Sequence, residues 1–141
     1  MTLIIFRVQN QLLLAFLILL TIYSCKNESE KALARKENIR KGKELFGSMG
    51  CMTCHSLKGD KMYGPPLNNI LGKNIRVLRE KKPYTITIDE EYIKQSIRNP
   101  DYEKPDSFST KKMPKPVITE EEISNLSAFI IHINSDTLSK Y

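Results

Sequence analysis

Apolar and polar positions divide the chain into regions of different character. Leu12 to Leu20 (LLLAFLILL) is an unbroken apolar run, extended through Thr21, Ile22 and Tyr23 to 12 residues. A membrane-spanning helix needs about 20 such residues, so this run is too short to span. Arg7 ahead of it and the small Ser24 behind it complete the pattern of a secretory signal. From residue 26 to about 37 the apolar side chains are only Ala32, Leu33 and Ala34, set among many charges. Such a stretch buries too little surface to fold by itself and is expected to be a tether. The expected organisation is therefore 1–24 signal peptide, 25–37 tether and 38–141 a single folded domain, with no internal repeat.

Within the domain, Ile39, Gly42, Phe46 and Met49 recur at i, i+3, i+7 and i+10, one face of a helix. Gly42 costs that helix about 1 kcal/mol against Ala, a cost that makes sense where another backbone approaches closely. A C-terminal helix opens on Thr119 as N-cap with Glu122 three residues on, the pattern of a capping box. Its apolar stripe is Ile123, Leu126, Ile130 and Ile133, and His132, about 180° round the wheel from Ile123, is expected to face water. A third helix is predicted over Glu90 to Asn99, capped by Asp89 and stopped by Pro100. Tyr84 to Ile88 alternates like a strand, but no other run offers it a partner, so an extended loop is expected there. Leu67, Ile70 and Leu71 fall at helical spacing and are expected to be core.

Charge and cysteine content sharpen this picture. The chain carries 22 basic and 16 acidic side chains, a net +6, with three cysteines and no tryptophan. Residues 1–24 contain one basic and no acidic side chain, so the basic excess belongs to residues 25–141. Three cysteines do not form a framework of paired disulfides. Cys25 directly follows Ser24, so the N-terminus resembles a bacterial lipoprotein signal. That resemblance implies cleavage before Cys25 and a lipid on its sulfur; an ordinary signal peptide is the alternative. On the lipoprotein reading, Cys51 and Cys54 remain as a pair.

Cys51-Met52-Thr53-Cys54-His55 reads C-x-x-C-H, the attachment signature of a c-type haem. Two thiols three residues apart can add to the two vinyl groups on one porphyrin edge, which places the adjacent imidazole under the iron. Chance would produce the pattern in roughly one chain in a thousand of this composition. Three other readings exist. Structural zinc wants four ligands, and a second pair is missing. A thioredoxin-like redox pair wants a βαβ surrounding that the flanks do not supply, and a plain disulfide leaves His55 unexplained.

The chain from about Ile39 to Asn134 resembles small monohaem cytochromes c. Gly42-Lys43-Glu44-Leu45-Phe46, the haem motif, Gly64-Pro65-Pro66-Leu67 and Met113-Pro114 occur in the family's order. The likeness extends to the cytochrome domain fused to subunit II of some bacterial haem–copper oxidases, where a GPPL element and a stretch like Ile88–Ile93 precede a helix ending in Asn-Pro. Here that module is expected to stand alone. The resemblance implies an all-α fold, three to four helices around one covalent haem c whose iron is held between His55 and Met113. It implies that the first and last helices cross with Phe46 at the contact. It also assigns Pro65 the carbonyl that orients His55, and makes Leu67 a haem-packing residue.

Of the other methionines, Met1 leaves with the signal, Met49 and Met52 flank the cysteines, and Met62 is only seven residues past His55. A His/Met pair raises the potential and leaves no position open to oxygen or substrate, which describes an electron carrier and not an enzyme. Tyr84 is either a partner for a haem propionate or a half-buried tyrosine. Residues 25–50 and 51–115 both carry a basic excess, and the two basic clusters nearest the haem motif and Met113 are Arg76, Arg79, Lys81 and Lys82, and the trio Lys111, Lys112 and Lys115. Such lysines would steer the protein onto acidic docking surfaces of an oxidase, reductase or dehydrogenase. Alternatively they form a solvated face. The export signal argues against nucleic acid and for the periplasmic side of a bacterial envelope, with membrane attachment through Cys25. The expected role is single-electron transfer from a quinol-oxidising complex or dehydrogenase to a terminal oxidase or reductase. A permanently docked cytochrome subunit and an open-site haem sensor or enzyme are the alternatives.

Overall fold

Two of the helices form where apolar periodicity and a capping residue coincide. The structure, a computed structural model, describes residue 14 and residues 28–138. Apart from residue 14, the expected signal peptide lies outside the described residues, as does Cys25. The chain divides into two units, Met1–Lys36 and Glu37–Tyr141. In the first, residues 28–36 are helical and exposed, with one surface ion pair between Lys31 and Glu28 at 3.6 Å. Among the described residues no helix is long and apolar enough to cross a membrane.

The second unit opens on helix α1 (37–48). Ile39, Gly42 and Phe46 face inward as their spacing predicts. Met49 does not. It lies beyond the helix and is exposed, because the chain turns at Gly50, whose φ of 72° is left-handed. Helix α3 (Glu120–Leu138) crosses α1 at Gly42, where an added Cβ would overlap the Asn125 carbonyl and lie 2.9 Å from Phe129 Cβ. The close backbone approach inferred from that glycine is present. Phe46 and Phe129 meet there, with ring centroids 5.6 Å apart and planes tilted by 56°.

The capping box of α3 forms as read. The Thr119 N–H donates to Glu122 Oε2 at 2.8 Å, and the Glu122 N–H donates back to Thr119 Oγ1 at 3.2 Å. The Thr119 N–H, together with the Thr119 hydroxyl, which donates to Oε2 at 2.9 Å, holds the Glu122 carboxyl below its ordinary range. The helix, however, is buried on more than one stripe. Phe129, Asn125, Ser127 and Asn134 are buried beside Ile123, Leu126 and Ile130, while Ile133 is only partly so. Enclosure on several sides also leaves His132 half-buried instead of facing water. Helix α2 (Glu90–Arg98) packs on α3 through buried Ile93 and Ile97. Asp89 caps it by accepting the Tyr92 N–H at 2.8 Å.

Two sequence expectations fail for backbone reasons. Tyr84 to Thr87 is not a lone extended loop. Strand β1 (Asn74–Arg79) pairs antiparallel with β2 (Lys82–Thr87), in a register that sets Asn74 opposite Thr87 and Arg79 opposite Lys82. A two-residue turn at Glu80 and Lys81 joins them, with φ of 51° and 64°. That is the turn geometry usually marked by Asn-Gly, and neither residue signals it. A third strand, β3 (Lys104–Pro105), completes the order β2-β1-β3 and helps bury Val77. The all-α fold thus carries a small sheet.

Leu67, Ile70 and Leu71 are half-buried against the core, but on a loop, not a helix. The loop is held by Asn134, whose side chain is almost wholly buried. Its carbonyl accepts the Ile70 N–H at 2.6 Å and the Leu71 N–H at 3.3 Å. Its amide donates to Leu67 O at 2.9 Å and to Ile130 O at 2.7 Å. All four hydrogen-bonding positions of the Asn amide are filled. One side chain therefore replaces the ladder that the loop lacks.

Candidate functional site

The end of α1 sets the first part of the site. After Gly50 the chain makes one 3-10 turn, Cys51–Thr53, and the Cys54 and His55 N–H groups both donate to Cys51 O, at 3.2 and 3.0 Å. The two cysteines therefore sit at the ends of a single turn, half-buried and as free thiols. Burial pushes the Cys51 thiol above its ordinary value, and nearby Cys54 adds to this against an opposing backbone hydrogen bond. Among the described residues no cluster of three or more His, Cys, Asp or Glu is arranged to hold a metal ion.

His55 is positioned by the segment 64–67. Its Nδ1–H donates to the Pro65 carbonyl at 2.8 Å. Because a carbonyl only accepts, this contact puts the proton on Nδ1 and leaves the Nε2 lone pair available. Gly64 lies against the ring: a Cβ there would come within 2.6 Å of Cε1 and 3.0 Å of Nε2. Backbone bonds register the two segments, Gly64 N–H to Cys54 O and Leu67 N–H to Ser56 O, both at 2.8 Å. Buried Ser56 orders the following turn, its hydroxyl accepting from the Lys58 and Asp60 N–H groups and donating to Asp60 Oδ2 at 2.9 Å.

Met113 is half-buried on the irregular segment 111–119. Tyr63 ties that segment to the His55 side. Its hydroxyl accepts the Lys112 N–H at 3.3 Å, and its ring lies 4.9 Å from the Lys111 ammonium. The structure thus gathers Cys51, Cys54, His55 and Pro65, and anchors the chain before Met113 to the neighbouring residue Tyr63. Leu67 packs with Ile70 and Leu71 against the hydrophobic core. Sequence reasoning gave no role to Tyr63, Ser56 or Asn134, and read Gly64 only as part of the Gly-Pro-Pro-Leu element. Only the position of Gly64 in Gly-Pro-Pro hinted at a close approach.

The first basic cluster is partly neutralised. Arg76 pairs with Asp106 at 3.3 Å, and Arg79 pairs with buried Glu103, its Nε 2.6 Å from Oε1. The Arg79 guanidinium also stacks over Tyr84 at 5.3 Å and Tyr102 at 5.1 Å. Tyr84 is exposed, and the guanidinium covers its ring. Lys81, Lys82, Lys112 and Lys115 are exposed.

Nothing in this geometry opposes a covalent haem. The single-turn dithiol, the imidazole with a free Nε2 and the glycine that leaves room beside the ring are each what such a group requires. The Cytochrome c family model matches residues 39–134. The chain therefore belongs to the cytochrome c family, and the match spans about two-thirds of its length. No curated protein matches it. Proteins of this family bind haem c covalently, typically one per domain, and the chain is accordingly a haem-based electron-transfer protein.

Proposed function

We propose that this protein is a single-electron carrier of a bacterial respiratory chain, passing electrons from a quinol-oxidising complex or dehydrogenase to a terminal oxidase or reductase. The bound haem supplies a one-electron couple at iron. Cys51 and Cys54 would hold its edge through thioether bonds, and His55 Nε2 and Met113 Sδ would ligate the iron. The observation that carries this assignment is the Nδ1–H bond from His55 to Pro65. It fixes the tautomer and ring plane and raises the basicity of Nε2. In this reading Leu67, on the same loop as Pro65, would pack against the haem.

In this reading the mature chain begins at Cys25, carries a lipid there, and hangs from a membrane of the envelope by the tether, on the periplasmic side. The likeness to the cytochrome module of oxidase subunit II supports a terminal oxidase as one electron acceptor. Exposed Lys112 and Lys115, with Lys111, supply the cationic face that acidic docking surfaces would meet.

Carbon monoxide tests the ligand set. The reduced holoprotein should bind it slowly and incompletely, and Met113→Ala should bind it promptly and fully. Prompt, full binding by the unaltered protein rules out the closed site, and an unchanged spectrum in Met113→Ala rules out that residue as ligand.

A further inference from the structure

Residues 111–119 form no regular secondary structure, yet the backbone just before Met113 is held at three successive groups. The Lys111 N–H donates to Phe108 O at 2.9 Å. The Lys111 carbonyl accepts from the Lys104 ammonium at 2.9 Å. The Lys112 N–H donates to the Tyr63 hydroxyl at 3.3 Å. Two of these three partners are side chains from other segments of the chain. Lys104 is itself fixed by Asp101 at 2.6 Å and is only 18% exposed. Tyr63 is about half exposed, so water would satisfy its hydroxyl; it accepts a backbone N–H instead. It also directly precedes the Gly64-Pro65 pair that lies against and accepts from His55.

We infer that Tyr63 and Lys104 are positioning residues that clamp the Lys111–Lys112 backbone, fix where Met113 is presented, and couple that loop to the segment holding His55. The inference rests on the reading of Met113 as the distal ligand. Its physical basis is entropic. A segment without ladder hydrogen bonds samples many backbone states unless its own N–H and C=O groups are taken up. Held at consecutive groups from two sides, the chain enters Met113 in one direction. The Lys111 ammonium over the Tyr63 ring adds a contact that survives removal of the hydroxyl.

Two conservative variants separate positioning from folding. Tyr63→Phe keeps the ring beneath Lys111 and removes the acceptor, while Lys104→Met keeps the apolar stem and removes the donor. In the haem-loaded full chain, hydrogen exchange at the Lys112 amide should quicken about fivefold in Tyr63→Phe, the effect of one lost hydrogen bond. Amides in the middle of α3 should keep their protection. Carbon monoxide binding to the reduced protein should quicken by a similar factor in each variant, and by more in the double variant. Unchanged exchange at Lys112 overturns the clamp. So does faster exchange with unaltered carbon monoxide binding, provided that Met113→Ala opens the site in the same assay. Loss of protection across α3 as well overturns it too, by making Tyr63 a general structural residue. If Met113→Ala binds like the unaltered protein, the ligand assignment itself falls and the clamp falls with it. That result is recognisable because it does not involve Tyr63 or Lys104.

Discussion

Gly64 does two things for His55: its backbone registers the loop onto Cys54, and its missing side chain leaves room for the imidazole. A methyl group there meets the ring at 2.6 Å, so one of the two must move. Gly64→Ala should cost about 1–3 kcal/mol, the usual penalty of overpacking. It should also tilt the ring away from Pro65. Denaturant titration of the holoprotein reads the first effect and a shifted reduction potential reads the second. The chemistry-bearing residues, Cys51, Cys54 and His55, were legible because a covalent haem needs those residue types at that spacing. Asn134 was not legible. An Asn beside the apolar stripe of a helix reads as a mild defect until the loop it satisfies is folded against it.

At the level of elements, caps were readable because they are local. Thr119 and Glu122 are three residues apart, and the reciprocal bonds follow from that spacing. The folded-state carboxyl of Glu122 lies below its unfolded value, so its contribution is present above the ordinary Glu range and disappears as pH falls through the lowered value. The stability gap between the unaltered protein and Glu122→Gln should therefore be open at neutral pH and close in acid, as paired thermal melts would show. The hairpin was not readable, because Glu80 and Lys81 take positive φ without being Gly or Asn. Lys81→Gly should stabilise the protein by about 0.5–1 kcal/mol by relieving that conformation, partly offset by the entropy of the unfolded glycine. Chemical denaturation is a sufficient check. The strand partner that the alternation of Tyr84 to Ile88 lacked was Asn74–Arg79, a run in which arginines interrupt the apolar positions. Those arginines are taken up by Asp106 and by buried Glu103, pairings that only the third strand and its neighbours bring about.

For the molecule as a whole, the structure changes which charges are available to a partner. Arg79 is tied to buried Glu103 and exposed Arg76 to Asp106 in a surface ion pair. Among the described residues, Lys111, Lys112 and Lys115 carry no ion pair with an acidic side chain that would offset them, and they stay at the surface beside the proposed ligand loop. Replacing the three lysines by Glu should lower the rate of electron transfer to an acidic partner by at least about tenfold at low ionic strength. The difference should shrink as salt screens the approach, which stopped-flow measurements across ionic strength would record. Sequence by itself determined the haem chemistry, the helices with their caps, and the contact at Gly42, because each depends on residues close in the chain or on one residue type that nothing else replaces. The tertiary structure alone decided the sheet, the loop held by Asn134, the burial around α3, and the anchoring of the Lys111–Lys112 backbone by Tyr63 and Lys104. In the last three, groups meet through the folding of separate segments onto one another. In the sheet the hairpin is local, but its turn, Glu80-Lys81, lacks the residue types that mark such a turn, and β3 joins from a distant segment.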